Sequence, residues 1–562
     1  MNDRQVHREH DVIVVGAGVA GALMAWHLAE SGARVLVLEA GDEYQDRLEL
    51  VGRYAVAKTK TPSAPYANDL SEEHAPSPRL TDGNDRHYIQ SGPNFFKSTY
   101  ERLVGGSTWH WLGNTPRFIP NDFKLHSEYG VGVDWPISYD QLEPWYVKAE
   151  HQLGVSADHD EWVEVLGAWR SKKFPMSSIW PTFGDSVVAS AIHGQYFDGT
   201  RVEIRATPQA RNSRPYQGRP PCAGNSTCVP ICPIAAKYDA TVHVAKARRA
   251  STAAEIRPRC VVKRLVAGSS GRIERVEYDR WTPGRSTRER RRATAKIYVL
   301  AAHAIETPLI LLESGLAREG PVGKNLMDHP QGYGGAVLPE PVYPFRGPPV
   351  TSSIDAYRDG AFRNERAAFR ISIGNDGWGR LESIRATIEK KILEDKLLGS
   401  ELRTSLNERV TRMLRFSYST EMLPDERNRV TVGGHDAHGN PRPKIHFRLD
   451  PYNIRSFDAA THLLDQFFDR LGATERKYSH PDSKGRATYE GAQHIVGTCR
   501  MGSSEHDSVV DSKGRAHEHS NLFLAGASIF PTSGTANPTL TAAALALRTA
   551  DQVVRELRGE PA

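Results

Sequence analysis

Three glycines near the start of the chain limit its fold more than any other feature. Residues 11–39 read DVIVVGAGVAGALMAWHLAESGARVLVLE. Residues 12–15 are a β-branched run of the length and type of a buried strand. Gly16, Gly18 and Gly21 follow as G-x-G-x-x-G, a helix is predicted over residues 20–31, and after Gly32 the run ARVLVLE supplies the next strand. In such a unit the first glycine permits the tight turn, the second lets a pyrophosphate approach the backbone, and the third lets helix and strand pack closely. The second strand ends on Glu39, where a carboxylate can hold ribose hydroxyls. An acid there would repel the 2′-phosphate of NADP, so the unit predicts FAD or NAD.

The far end of the chain complements this unit. Residues 521–550, NLFLAGASIFPTSGTANPTLTAAALALRTA, predict a strand, a turn and an alanine-rich helix whose N-terminus suits the electron-rich atoms of a cofactor. Just before it, HIVGTCRMG (494–502) places His494 in a glycine-bounded loop. One histidine among twenty-two is by itself as compatible with a surface or core role.

Here the residues carry a family resemblance. HxxGTxxMG followed by VVD, NLF and NPT resembles the C-terminal signature of the glucose-methanol-choline (GMC) flavoprotein oxidoreductases. Further matching segments follow in family order: LVGGSTWHWLGNTPRF (103–118), DWPISYDQLEPWYVKAE (134–150), AAHAIETPLILLESG (301–315) and VGKNLMDH (322–329). The resemblance implies an α/β fold, with a Rossmann-type FAD-binding domain and a discontinuous substrate domain on an antiparallel sheet plus helices. It implies His494 as the base that takes a hydroxyl proton while hydride leaves carbon for flavin N5, with Asn537 as its partner. Neutral imidazole suits that task, and an amide can hold the same oxygen without competing for the proton. FAD contacts are implied for Gly105, Gly106, His110, Asn114, Val262, Ala301, Gly526, Pro538 and Thr539, beside the N-terminal glycines. His110 falls where the pyranose-oxidase branch, with its similar STHW, links flavin covalently. Trp109 interrupts that match, so a His110 that only packs against the ring is the alternative.

Three of the five cysteines, Cys222, Cys228 and Cys232, fall within PPCAGNSTCVPICP. A disulfide would leave one thiol over, and the odd total argues against a disulfide framework. Zinc wants four ligands, so His243 would have to complete a C-x5-C-x3-C set. The ending C-x3-C-P is like the tail of a ferredoxin run, and three thiolates match a [3Fe-4S] cluster. Resemblance separates these readings. Residues 210–247 resemble the large subunits of bacterial membrane-associated sugar dehydrogenases, such as the FAD-dependent glucose, gluconate, sorbitol and fructose enzymes. Their cysteine doublet is reduced here to Cys222 and Ala223, leaving the three cluster positions intact. The expected enzyme is therefore an FAD-dependent dehydrogenase of a sugar or sugar-derived alcohol, with the cluster passing electrons to a membrane-associated cytochrome c. Alternatives are an oxygen-using oxidase and a glycoside 3-dehydrogenase. The subgroup also implies a small chaperone-like subunit carrying an export signal, and a place on the periplasmic side of the inner membrane.

Bulk properties agree with a soluble enzyme. The net charge of +5 is small for 562 residues, and the densest basic run, RSTRERRR (285–292), reads as a solvated loop without a nucleic-acid motif. No run nears the ~18 apolar residues of a membrane span. MNDRQVHREH resembles no signal peptide, so without partners the chain is expected to be cytoplasmic. The expected division is an FAD domain of 1–50, 95–150, 235–330 and 490–562, a connecting region 151–234 with the cysteines, and a substrate domain 331–489. Within the last, EMLPDERNRVTV and PKIHFRLD predict strands of an antiparallel sheet. Ile384, Ile388 and Ile392, then Leu398, Leu402 and Leu406, predict two helices that Gly399 separates or kinks and that pack on the core or a partner. Residues 50–100 lack periodicity and read as a lid or subunit contact.

Overall fold

The computed structural model describes residues 10–56, 74–78, 87–158, 166–225, 227–316, 320–377, 381–479 and 489–560. Its centre is a five-stranded parallel sheet in the order Leu522–Leu524, Ala295–Leu300, His10–Val15, Val35–Leu38, Glu255–Arg257. The first strand is buried on both faces, as its unbroken apolar run requires. Helix Val19–Glu30 follows the glycine turn and packs against helices Thr241–Arg248 and Thr539–Leu557. Chain connections leave His10–Val15 toward both edges of the sheet, so the crevice beyond its C-terminal end is a switch point where ligands bind.

A second, larger sheet is antiparallel: Thr474–Tyr478, Pro330–Val337, Met413–Thr420, Phe369–Gly374, Ser352–Ile354 and Ile204–Ala206, with Glu490–Gly491 also paired to Pro330–Val337. Side chains alternate between its faces. Phe416 packs on the long helix Pro451–Arg470 through Phe467 and Phe468, while Arg370, Ser372, Ser417 and Ser419 face the opposite way, into the central cavity.

EMLPDERNRVTV and PKIHFRLD form strands, Arg429–His435 and Pro441–His446, which pair antiparallel as expected, in a small sheet of their own with Ile89–Gln90. The basic run is mostly not a loop: Arg288–Ala293 is the edge strand of a sheet with Ile273–Trp281 and Cys260–Ala267. An edge tolerates charge, and Arg290 pairs with Asp279 across the ladder. The two helices exist as Ile384–Leu393 and Gly399–Thr411, yet they do not pack on the core; Ile384, Leu393 and Leu398 are exposed. Residues 57–73 and 79–86 of the expected lid lie outside the described residues, whereas Tyr88, Phe96 and Tyr100 are buried. No helix among the described residues is long and apolar enough to cross a membrane.

Candidate active site

A cavity of about 1600 Å³ opens at the C-terminal ends of the parallel strands and extends to the polar face of the antiparallel sheet. That exceeds the ~300–1,000 Å³ of an ordinary small-molecule site and leaves room for an extended dinucleotide plus a substrate. The glycines shape its floor. A Cβ on Gly21 would stand 1.9 Å from the Gly16 carbonyl, so only glycine lets helix and strand meet. A Cβ on Gly18 would meet nothing within 4 Å, and Gly18 lines the cavity, where a pyrophosphate needs bare backbone. Glu39 is buried at the cavity wall and accepts from the amides of Ala17 (2.7 Å) and Gly41 (3.0 Å), bracing the turn while keeping acceptor capacity. Asn114 presents a buried Oδ1 with no hydrogen-bond partner among the described residues. These features fit FAD. Gly16, Gly106, His110, Val262, Ala301, Gly526, Pro538 and Thr539 also line the cavity. Gly105 is set behind it: its amide donates to Ala17 O at 3.0 Å, and a Cβ there would meet the Trp109 indole.

At the junction with the antiparallel sheet stand His494 and Asn537, brought together from positions 43 apart. Asn537 Nδ2 donates to His494 Nε2 at 2.9 Å. His494 Nδ1 lies 2.8 Å from Nδ1 of His329, whose Nε2 lies 3.0 Å from Gly534 O. A carbonyl only accepts, so His329 carries its proton on Nε2 and a lone pair on Nδ1. His494 must then donate from Nδ1, which leaves the lone pair on Nε2, toward Asn537 and the cavity. Reversing the Asn537 amide would set two imidazole lone pairs face to face. Burial, then His329 and Arg370, holds His494 well below the ordinary histidine value, and burial lowers His329 to about 4. Both are neutral at working pH. Asp328 anchors the pair, accepting from the backbone amides of His494 and His329, each at 2.8 Å, and from the Ser98 hydroxyl.

His329 was visible in the sequence only as the last residue of VGKNLMDH, without a role. Arg370, held by Asp355 (2.9 Å) and Ser353 (2.6 Å), gave no signal at all. Its cavity-facing place follows from strand alternation in a sheet assembled over long range.

The cysteine segment abuts the same cavity: Val229 and Pro230 line it, and His110 Nδ1 donates to Pro230 O at 2.6 Å. Burial holds His110 down at about 3, so Nε2 carries a lone pair; Glu101 Oε1 is 3.9 Å from it. Cys228 and Cys232 are buried and Cys222 partly so, and none of the three is in a disulfide. Among the described residues no three histidine, cysteine or acidic side chains converge as a metal site. The surroundings nevertheless fit an anionic group. Arg211, 1% exposed, has Nε and Nη1 without hydrogen-bond partners among the described residues. Burial raises the Cys228 thiol, whereas Arg211 and Lys237 act to lower it, and the Gly224 amide donates to Cys222 Sγ at 3.4 Å. Zinc loses its expected fourth ligand: His243 is buried in a helix, engaged by Tyr238 Oη (2.8 Å) and Gln152 (3.2 Å).

Comparison with known proteins agrees with this architecture. Residues 199–331 and 424–546 match the GMC oxidoreductase family, and residues 11–46 match FAD dependent oxidoreductase. The chain is 35% identical to the fructose dehydrogenase large subunit of Gluconobacter japonicus over 98% of both chains. It is 27% identical to 6'''-hydroxyparomomycin C oxidase of Streptomyces lividus over 99% of this chain and 93% of that protein. The solved structure of pyridoxine 4-oxidase from Mesorbium loti shares the fold, with a TM-score of 0.62 at 20% identity over 96% of this chain and 98% of that one. The glycine turn, the cavity beyond it and these full-length similarities place the chain in one family: it belongs to the GMC oxidoreductases and is an FAD-dependent enzyme.

Proposed function

We propose that this enzyme is a dehydrogenase that oxidises a hydroxyl-bearing carbon of a sugar or sugar derivative. The observation that carries the reading is the His494–Asn537 pair, 2.9 Å apart, at the cavity junction. When bound, FAD supplies the hydride acceptor. The lone pair of His494 Nε2 takes the hydroxyl proton, and the proton on Nδ1 stays with the His329 contact. Asn537 Nδ2, bonded to Nε2 in this structure, can turn its N–H to the substrate oxygen and orient the carbon beneath it. The sheet face with Arg370, Ser372, Ser417 and Ser419 offers donors and acceptors to further hydroxyls, as a polyol requires.

A sugar substrate is supported by 35% identity to a fructose dehydrogenase large subunit. The C-x3-C-P ending and the resemblance of residues 210–247 to sugar dehydrogenase large subunits support reading Cys222, Cys228 and Cys232 as ligands of a [3Fe-4S] cluster, which would supply a one-electron exit. The unpartnered Arg211 nitrogens beside the segment support an anionic occupant. The reading extends to a membrane-associated cytochrome c acceptor, a small subunit with an export signal and the periplasmic face of the membrane. The words "large subunit" in that relative's name support a complex.

The test is an anaerobic screen of sugars for flavin bleaching, with His494→Ala alongside. Bleaching by one or more sugars in the native enzyme, absent in a His494→Ala variant that retains FAD, is expected. Normal bleaching in the variant removes His494 from its role. Iron near zero with steady peroxide formation would make the enzyme an oxidase. Acid precipitation decides the role of His110: flavin in the pellet means a covalent bond through Nε2, flavin in the supernatant a packing contact.

A further inference from the structure

Three alternate carbonyls of the cysteine segment, those of residues 228, 230 and 232, are tied to the turn that carries His110. Lys237 Nζ donates to Cys228 O at 3.0 Å, and to Trp109 O (2.9 Å) and Trp111 O (2.5 Å) on either side of His110. His110 itself bonds Pro230 O at 2.6 Å. Arg47 donates to Cys232 O at 3.0 Å, with its guanidinium 4.6 Å from the centre of the Trp109 ring. The sulfurs take no part in this anchoring.

Lys237 is the centre of the arrangement. It is 1% exposed, its three N–H bonds meet three backbone carbonyls, and no carboxylate is among its hydrogen-bond partners. Burying an ammonium group is costly unless its charge is compensated, and simple packing at this position could be met by an apolar side chain. What the ammonium adds is a fixed separation. One side of it holds the 109–111 turn, whose His110 lines the FAD cavity; the other holds the backbone of Cys228.

We propose that Lys237 is a positioning residue for electron transfer, setting the distance and orientation between the flavin-side turn and the cysteine segment, with the His110–Pro230 bond between them. The proposal rests on the reading of Cys222, Cys228 and Cys232 as cluster ligands. Held by these cysteines, a cluster would supply a one-electron exit, so that the two electrons of reduced flavin would reach one-electron acceptors singly as its proton is released. Electron transfer weakens steeply as donor and acceptor separate, so even a small displacement at such a junction slows it.

The experiment compares native enzyme, Lys237→Met and Lys237→Gln as FAD-loaded proteins. Iron and acid-labile sulfide per FAD, the EPR spectrum of the oxidised cluster and its reduction potential are measured first. Anaerobic stopped-flow then separates flavin bleaching by sugar from reoxidation by ferricyanide. The expected result is native iron content and bleaching rate in a variant whose EPR line shape is altered and whose reoxidation is slowed severalfold. Reoxidation and EPR spectra identical to native would overturn the role of Lys237 while leaving the cluster reading standing. Absence of iron from the native enzyme would remove the cluster reading itself. Loss of iron or of soluble protein in both variants would reduce Lys237 to a structural residue and also overturn the proposal.

Discussion

The Nδ1 atoms of His329 and His494 stand 2.8 Å apart, their rings crossed at 84°. Because His329 is bonded to a carbonyl through its other nitrogen, this contact decides which nitrogen of His494 is basic. Replacing His329 by Phe removes the acceptor and frees His494 to place its proton on Nε2. Flavin reduction by sugar should fall about 100-fold, with little change in KM. His329→Gln, whose amide oxygen can accept from Nδ1, should recover most of the loss. Stopped-flow bleaching across a sugar titration reads both.

Gly534 supplies the carbonyl that anchors His329, at a φ of +65°. A Cβ there would stand 2.4 Å from the Phe118 ring. Gly534→Ala must therefore move either the ring or the carbonyl. It should destabilise the protein by about 1–3 kcal/mol and slow flavin reduction in parallel with His329→Phe. Native reduction kinetics in a destabilised Gly534→Ala enzyme would separate the carbonyl from the tautomer.

The base acts when unprotonated, and burial, His329 and Arg370 all hold His494 well below the ordinary value. The rate of flavin reduction should accordingly stay level from pH 8 down past 6.5, and its acid limb should lie below that. Asn537→Asp sets a carboxylate beside Nε2, favours the imidazolium, and should move the acid limb toward neutrality. A pH profile of bleaching rate in the two proteins checks the direction.

Stability should depend on pH through the same burial. His303 and His329 are lowered to about 4 and His110 to about 3, all three chiefly by burial; His243 and His494 are also well below ordinary. In the unfolded chain these imidazoles take protons near pH 6.5, so between there and about pH 4 the unfolded state binds more protons. Their contribution is fully present above pH 6.5 and is lost as pH falls, by up to about 1.4 kcal/mol per pH unit for each. Asp328, raised to about 6 by burial, works in the opposite direction over part of that window. The balance predicts a marked loss of denaturation midpoint between pH 7 and pH 5. A flat profile would mean that these histidines are hydrated in solution.

The most legible parts of the chain were those whose physics is local. Gly16, Gly18, Gly21 and Glu39 lie within one strand–turn–helix–strand, so their spacing carries their geometry. His494 and Asn537 were legible through a family signature rather than through spacing. The edge strand Arg288–Ala293 read as a loop because charge dominates its composition, and only its pairing with Ile273–Trp281 makes it a strand. The helices Ile384–Leu393 and Gly399–Thr411 have core-like spacing, yet Ile384 and Leu398 are exposed and Ile388, Ile392, Leu402 and Leu406 only half-buried.

By itself, then, the sequence determined a dinucleotide turn, a family of flavin enzymes, a candidate base and a cluster of three cysteines. Only the tertiary structure decided how these parts are tuned. It set His329 on His494, Arg370 within electrostatic reach of His494, and Lys237 between the His110 turn and Cys228. Those contacts join residues as many as 165 positions apart, through long-range strand pairing and buried hydrogen bonds. Periodicity and spacing describe what neighbours along the chain must do; which donor meets which acceptor in a buried site is settled when distant segments are packed together and desolvated.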